Sequence, residues 1–189
     1  MTNSRGLYDD EIDCLGTRML AGTATRWLGV FARDELPSEQ ELLRAAAAAR
    51  LIALVFINQP ASEPGQHGLA IYGTAAKPGG SGLDHVDIEF FDSYALPPSS
   101  YALHTHFKRI SDFSKLPLQS PSSALCGHYC LYFLFARSHG LSFHAIITQH
   151  HSRTPDEYVY SIVCKYITPR AIPCSNHHRQ CSQIKCSFC

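Results

Sequence analysis

The sequence predicts an α+β domain: a small mixed or antiparallel sheet packed against a central helix. Three observations predict it. Short apolar runs such as Leu51 to Ile57 are bounded by Asn58 and Pro60, as buried strands are. Other segments carry apolar residues at helical spacing. The order along the chain is helix, strands, helix, helix, without a detectable internal repeat.

Taken in order, Asp9 to Leu20 reads as a first helix. Ile12, Leu15 and Met19 recur at helical spacing, Asp9, Asp10 and Glu11 suit its positive first turn, and Gly22 ends it. Trp27 to Phe31 is a short apolar segment, followed by a polar turn at Asp34 to Pro37. The alanine-rich stretch from Gln40 to Arg50 has helical character and leads into the strand Leu51 to Ile57. His67 to Tyr72 forms a second strand and His85 to Phe91 a third. The Gly-rich loop from Lys77 to Gly82 between them reads as a hairpin connection and lacks the pattern of a phosphate-binding loop. Pro97 to Ser100 reads as a turn and cap before a helix from Tyr101 to Ile110. The central helix is expected from Ser122 or Ser123 to Ser138, ending at Gly140. A last helix is expected from Thr154 or Pro155 to Ile167, with Tyr158, Ile162, Val163 and Tyr166 on one face. Pro169 and Pro173 end regular structure.

A chain of 189 residues, 45% hydrophobic and 17% charged, can bury a single core and is not compositionally disordered. Lys+Arg and Asp+Glu are both 16, so no global field argues for a nucleic-acid or membrane partner. The first residues are polar with no apolar stretch of signal-peptide type, and no run is long enough to span a bilayer. The expectation is an intracellular protein without membrane association, read as a monomer. In a reducing compartment the eight cysteines are expected as free thiols, a nucleophile or metal ligands rather than a disulfide framework.

The chemistry concentrates in Leu118-Gln119-Ser120-Pro121-Ser122-Ser123-Ala124-Leu125-Cys126-Gly127-His128-Tyr129-Cys130. Cys126 opens the apolar run of the central helix, where the positive helix terminus favours a thiolate. Gln119 brings an amide donor that can bind a developing oxyanion. A thiol nucleophile needs a base and a group that orients the base. Among 11 histidines, His67 starts a strand after a loop containing Pro64 and Gly65. Asp92 ends the next strand, and antiparallel pairing would bring it beside His67, where a carboxylate can hold the imidazole tautomer. Asp87 and Glu89 are rival acids, but they alternate with Val86, Ile88 and Phe90 and are expected to face solvent. His128 is expected on the helix surface or behind the site. Cys130, one turn beyond Cys126, reads as a small core residue, and Arg109 and Lys115 as surface charges.

The ordered set His67, Asp92, Gln119, Cys126 resembles the adenovirus-type (adenain-like) cysteine proteases, whose clan includes the SUMO-deconjugating enzymes. The block from Gln119 to Cys130 is similar to that family's oxyanion and nucleophile motif. Phe90-Phe91-Asp92-Ser93-Tyr94-Ala95-Leu96-Pro97-Pro98 is similar to its acid motif, in the form found in proteases of Polinton (Maverick) elements and related viruses. Trp27 to Phe31 with Asp34 to Pro37 resembles the N-terminal part of those proteins. The resemblance covers roughly residues 7 to 167. It implies that Cys126 attacks a scissile carbonyl and that His67 moves the proton. Asp92 would orient His67, and the Gln119 amide and Cys126 backbone N–H would form the oxyanion hole. The implied activity is a cysteine endopeptidase acting on capsid or core-type precursor polypeptides. The alternatives are a ubiquitin- or SUMO-like deconjugating protease and a catalytically impaired, peptide-binding relic. No cofactor is required for this chemistry; an activating peptide and DNA are further partners the resemblance implies. So are a host nuclear or cytoplasmic location and packaging in a virion. One departure stands out: relatives carry Trp directly after the histidine, where this chain has Gly68, a change expected to loosen His67 or open the site.

The protease domain is expected over residues 1–170, with 171–189 as a poorly ordered Cys/His-rich tail. Cys174, Cys181, Cys186 and Cys189, together with His177 and His178, are weak candidates for a zinc site. An incidental tail, or a redox or intermolecular-disulfide role, are the other readings.

Overall fold

A computed structural model describes residues 5–75, 85–149 and 154–167. Its framework is a five-stranded mixed sheet in the order β1-β2-β3-β4-β5. The strands are β1 (Thr25–Ala32), β2 (Leu51–Ile57), β3 (Gly68–Ala75), β4 (Val86–Phe91) and β5 (Ile110–Phe113). The β2-β3-β4 centre is antiparallel, while β1 and β5 run parallel to their neighbours. The helices are α1 (Asp9–Leu20), α2 (Glu39–Ala49), the single turn α3 (Leu103–His106), α4 (Cys126–Ser138), α5 (Phe143–Thr148) and α6 (Pro155–Cys164).

The central strands read as unbroken apolar runs because both faces of the sheet are covered. Ile52, Leu54 and Phe56 of β2 join Leu69 and Ile71 of β3 and Leu42 and Ala46 of α2 in one core. Ala53, Val55, Ala70, Tyr72 and Phe91 line the other face, against Tyr129, Cys130 and Phe133 of α4 and Ile12 and Leu15 of α1. Helix α4 is buried on nearly all sides, which explains its almost continuous apolar sequence. It packs on β3, α1, α5 and α6. Gly127 permits this packing: a Cβ there would meet Ile12 Cδ1 at 2.9 Å.

Several expectations need correction. The segment expected as a helix from Tyr101 to Ile110 is a 3-10 turn (Pro98–Tyr101), the single turn α3 and then β5. Ala102 in the left-handed region (φ 55°) breaks the helix there, and Ile110 to Phe113 pairs with β4 instead. Helix α4 starts at Cys126 rather than Ser122 or Ser123, because Gln119 to Leu125 is spent on turns around the site. Glu89 does not face open solvent; it points toward α4, where Arg137 Nε and Nη2 donate to its two carboxylate oxygens at 2.6 and 2.8 Å. Asp87 is likewise half-buried and pairs with Arg109 at 2.9 Å. The alternation with Val86, Ile88 and Phe90 is real, but the alternate face is covered by a helix. His128 is no surface residue: it is 1% exposed and packs against Tyr160.

The sequence also gave no sign of α5, a short helix capped by Ser142, whose Oγ accepts from the Ala145 N–H. Of the face expected on the last helix, Val163 is buried and Tyr158, Ile162 and Tyr166 pack partly buried against the core, joined by the buried Val159. Cys126 and Cys130 are free thiols, whereas Cys14 of α1 and Cys164 of α6 are disulfide-bonded, contrary to the expectation of free thiols there. The loop expected as a hairpin connection at Lys77 to Gly82, and Cys174, Cys181, Cys186 and Cys189 with the rest of the tail, lie outside the described residues. No helix among the described residues is long and apolar enough to cross a membrane.

Candidate active site

The site lies where the N-terminus of α4 meets the start of β3 and the end of β4. These ends converge because β3 and β4 are antiparallel neighbours and α4 lies across β3. His67, Gly68, Tyr94, Gln119, Ser123 and Cys126 together line a cleft of about 450 Å³. Arg5 to Asp9 also line it.

Asp92 follows β4 directly and is fully buried. Its carboxylate accepts from His67 Nε2 at 2.8 Å, from the Tyr94 N–H at 2.8 Å and from the Tyr101 hydroxyl at 2.7 Å. The Leu96 N–H adds a fourth donor at 3.2 Å. Burial alone would raise the Asp92 pKa, but these donors hold it below the ordinary carboxylate value. The Asp92 backbone is pinned in turn by Ser114, whose hydroxyl donates to the Asp92 carbonyl at 2.7 Å and accepts from its N–H at 2.9 Å.

With Nε2 on Asp92, the other ring nitrogen of His67 is left for the Cys126 thiol, which lines the same cleft. Burial pushes the imidazole toward the neutral form. The Asp92 carboxylate and the Cys126 sulfur outweigh burial and raise the His67 pKa to about 9. For Cys126 the causes mirror these. Burial raises its pKa, but the His67 ring and the backbone N–H groups of Gly68 and Gly127 bring it below the ordinary thiol value. Each group therefore favours the charged form of the other, a thiolate beside an imidazolium. Cys130, one turn on, is fully buried and its pKa is raised well above the ordinary value, first by burial, so it stays a thiol.

Gln119 is 4% exposed and its amide is fully engaged. Its Oε1 accepts from Ser93 Oγ at 2.6 Å. Its Nε2 donates to the Ser123 carbonyl at 2.7 Å and to the Tyr94 hydroxyl at 3.1 Å. The Ser123 carbonyl can only accept, which fixes the amide with nitrogen toward the cleft. The loop carrying Gln119 is fastened to Ser93 by the Leu118 and Gln119 N–H groups, both donating to the Ser93 carbonyl. Cys126 is the first residue of α4, where backbone N–H groups lack intrahelical acceptors. The Gln119 amide and the helix-terminal N–H of Cys126 thus belong to residues that line the same cleft.

The structure brings His67, Gln119 and Cys126 to one cleft, with Asp92 buried against the His67 ring. Sequence reasoning missed the residues that hold them. Ser93 and Tyr94 follow Asp92 directly, and the Tyr94 ring stacks on His67 at 5.0 Å and 28°. Tyr101, Ser114, Tyr129 and Asp156 come from other elements, and nothing in their local sequence marks them as supports.

The fold is one shared with proteases of known structure. The selenomethionine form of ASFV pS273R protease superposes with a TM-score of 0.59 at 15% identity, covering 85% of this chain and 67% of that one. A second structure of ASFV pS273R protease gives 0.56 at 16% identity over the same shares. The central domain of the uncharacterized Lpg1148 protein from Legionella pneumophila gives 0.51 at 13% identity, covering 87% of this chain and 99% of that one. No family model and no curated protein matches the sequence.

Proposed function

We propose that this protein is a cysteine endopeptidase of the SUMO-protease clan, of the adenain-like kind encoded by Polinton elements and related viruses. Its substrates on this reading are capsid or core-type precursor polypeptides. The observation that carries the reading is the buried Asp92–His67–Cys126 line, with the sulfur at a helix N-terminus. The protease fold of its structural neighbours and the ordered sequence motifs support it.

The chemistry follows from the geometry. The Cys126 thiolate attacks the scissile carbonyl carbon, forming a C–S bond while the carbonyl π pair moves onto oxygen. Gln119 Nε2 and the Cys126 N–H donate to that oxyanion. The intermediate collapses, the C–N bond breaks, and the His67 imidazolium gives its proton to the leaving amine. Water, deprotonated by the now neutral His67, then attacks the thioester, and the acid product leaves as the thiolate–imidazolium pair is restored. Asp92 stays ionised throughout and holds the ring.

The test compares wild-type protein with Cys126→Ser on a panel of precursor proteins and peptides, with iodoacetamide labelling of Cys126. Cleavage lost in the variant, together with rapid labelling at neutral pH, supports the reading. No cleavage of any substrate with slow labelling overturns it. Reaction of Cys126 with a ubiquitin-like C-terminal aldehyde, without precursor cleavage, shifts the substrate class to conjugates.

A further inference from the structure

We infer that the Tyr94 hydroxyl is a built-in stand-in for the substrate oxygen: it holds the second donor of Gln119 in the empty site and yields it to the scissile carbonyl. This rests on the protease reading and adds a residue to it. A glutamine amide has two N–H groups, and both are spent in this site. One lies on the Ser123 carbonyl at 2.7 Å and the other on the Tyr94 hydroxyl at 3.1 Å. An oxyanion can be bound by Gln119 only after one of these acceptors leaves.

The two acceptors are not equally placed to leave. The Ser123 carbonyl belongs to the backbone of the turn that leads into α4 and makes the shorter bond. The Tyr94 hydroxyl sits on a side chain that lines the cleft, and its own proton makes only a 3.3 Å contact with the same Ser123 carbonyl. The Tyr94 ring stacks on the general base while its hydroxyl sits on the oxyanion donor. The hydroxyl therefore occupies the side of Gln119 that faces the reacting groups. A neutral phenol oxygen is a weaker acceptor than an oxyanion, so the exchange favours the transition state over the ground state. In the empty enzyme the hydroxyl keeps a buried amide paired and in position, at the cost of competing with substrate.

The sign of the effect separates this from simple support. Tyr94→Phe keeps the stacked ring and removes only the competing acceptor. It is expected to raise kcat/KM by about threefold to tenfold, the scale of one exchanged neutral hydrogen bond. It should tighten a peptide-aldehyde inhibitor by a similar factor, since the thiohemiacetal oxygen occupies the same hole. In a Gln119→Ala background the same change should do nothing, and the pH dependence of Cys126 alkylation should be unaltered because the ring still covers His67. A second readout uses wild-type protein with 15N-labelled glutamine. On aldehyde binding one Gln119 side-chain proton should change its shift strongly, while the one on Ser123 stays. A Tyr94→Phe protein that is equal or slower, a gain that persists without Gln119, or two unmoved Gln119 protons overturns the inference and leaves the protease reading intact. A wild-type protein without any activity overturns both.

Discussion

Gly68, the residue that departs from the expected motif, lines the same cleft as Cys126. Burial raises the Cys126 pKa, and the Gly68 backbone N–H, after the His67 ring, is one of the groups that lower it. Its α-carbon faces α4. A Cβ there would meet Cys130 Sγ and Val55 Cγ1 at 3.8 Å and the Gly127 Cα at 3.9 Å, ordinary contacts on three sides. Gly68→Ala should therefore fold normally and keep activity within about twofold, since the N–H is retained and no strain is added. Gly68→Trp should force α4 away from β3 and destabilise the protein by about 1–3 kcal/mol, the usual cost of overpacking. Urea melts and kcat/KM of the two variants check this. The expected loosening of His67 is met by another residue, because Tyr94 stacks on the ring from the β4 side.

Tyr129 ties the loop carrying Gln119 to α6. Its hydroxyl lies 2.9 Å from the Leu118 carbonyl and 2.7 Å from Asp156 Oδ1, and the same Oδ1 accepts from the Ser120 N–H at 3.4 Å. Gln119 lies between these two anchored residues. Tyr129→Phe should lower stability by about 1 kcal/mol, the net value of a hydrogen bond, and lower kcat more than it raises KM. Iodoacetamide labelling of Cys126 should keep its wild-type rate, because the thiolate pair is not touched. A parallel fall in labelling would place the damage at the nucleophile instead.

The strands and the cysteine at the helix start were legible because their signals are local. Leu51 to Ile57 is bounded by its own breakers, and Cys126 stands at the boundary between a Ser/Pro turn and an apolar run. Two strands joined as a hairpin are enough to suggest that His67 and Asp92 meet. What failed depended on partners distant in sequence. Ile110 to Phe113 is a strand only because β4 offers an edge, and Glu89 is half-buried only because Arg137 arrives from α4. His128 looked polar and exposed, yet α6 covers it with Tyr160. Ser93 and Tyr94 sat inside the acid motif without a role, because their partner Gln119 is some 25 residues away.

Asp92→Asn removes the charge while keeping an oxygen for the backbone donors. The His67 pKa should fall from about 9 toward 6.5, since the carboxylate is the first of the groups that raise it against burial. The thiolate loses its counter-ion in turn. The expected loss in kcat/KM is on the order of 100-fold to 10,000-fold, the range for a disabled general acid–base pair. The cost in stability is about 1–3 kcal/mol, because a buried amide cannot serve all four donors of the carboxylate. Neutral-pH labelling of Cys126 should slow together with catalysis, which ties both losses to the pair.

The pH profile should carry the signature of that pair. Cys126 titrates below the ordinary thiol value and His67 at about 9, so the thiolate–imidazolium form occupies the window between the lowered Cys126 value and about pH 9. The acid limb of kcat/KM is protonation of the thiolate and the alkaline limb, near pH 9, is loss of the imidazolium; both belong to the pair as a unit. Stability follows by linkage. His67 binds its proton more tightly folded than unfolded, so its contribution is complete below about pH 6.5 and is lost as pH rises through about 9. Asp92 acts with the opposite sign. Its folded pKa is depressed, so its contribution is present above the unfolded value of 3.8 and is lost as pH falls through the lower folded value. Urea midpoints measured at pH 6 and pH 10 should therefore differ more in wild-type protein than in His67→Ala, which lacks the titrating ring. Equal differences in the two proteins would show that the imidazolium contributes nothing to folding in this window.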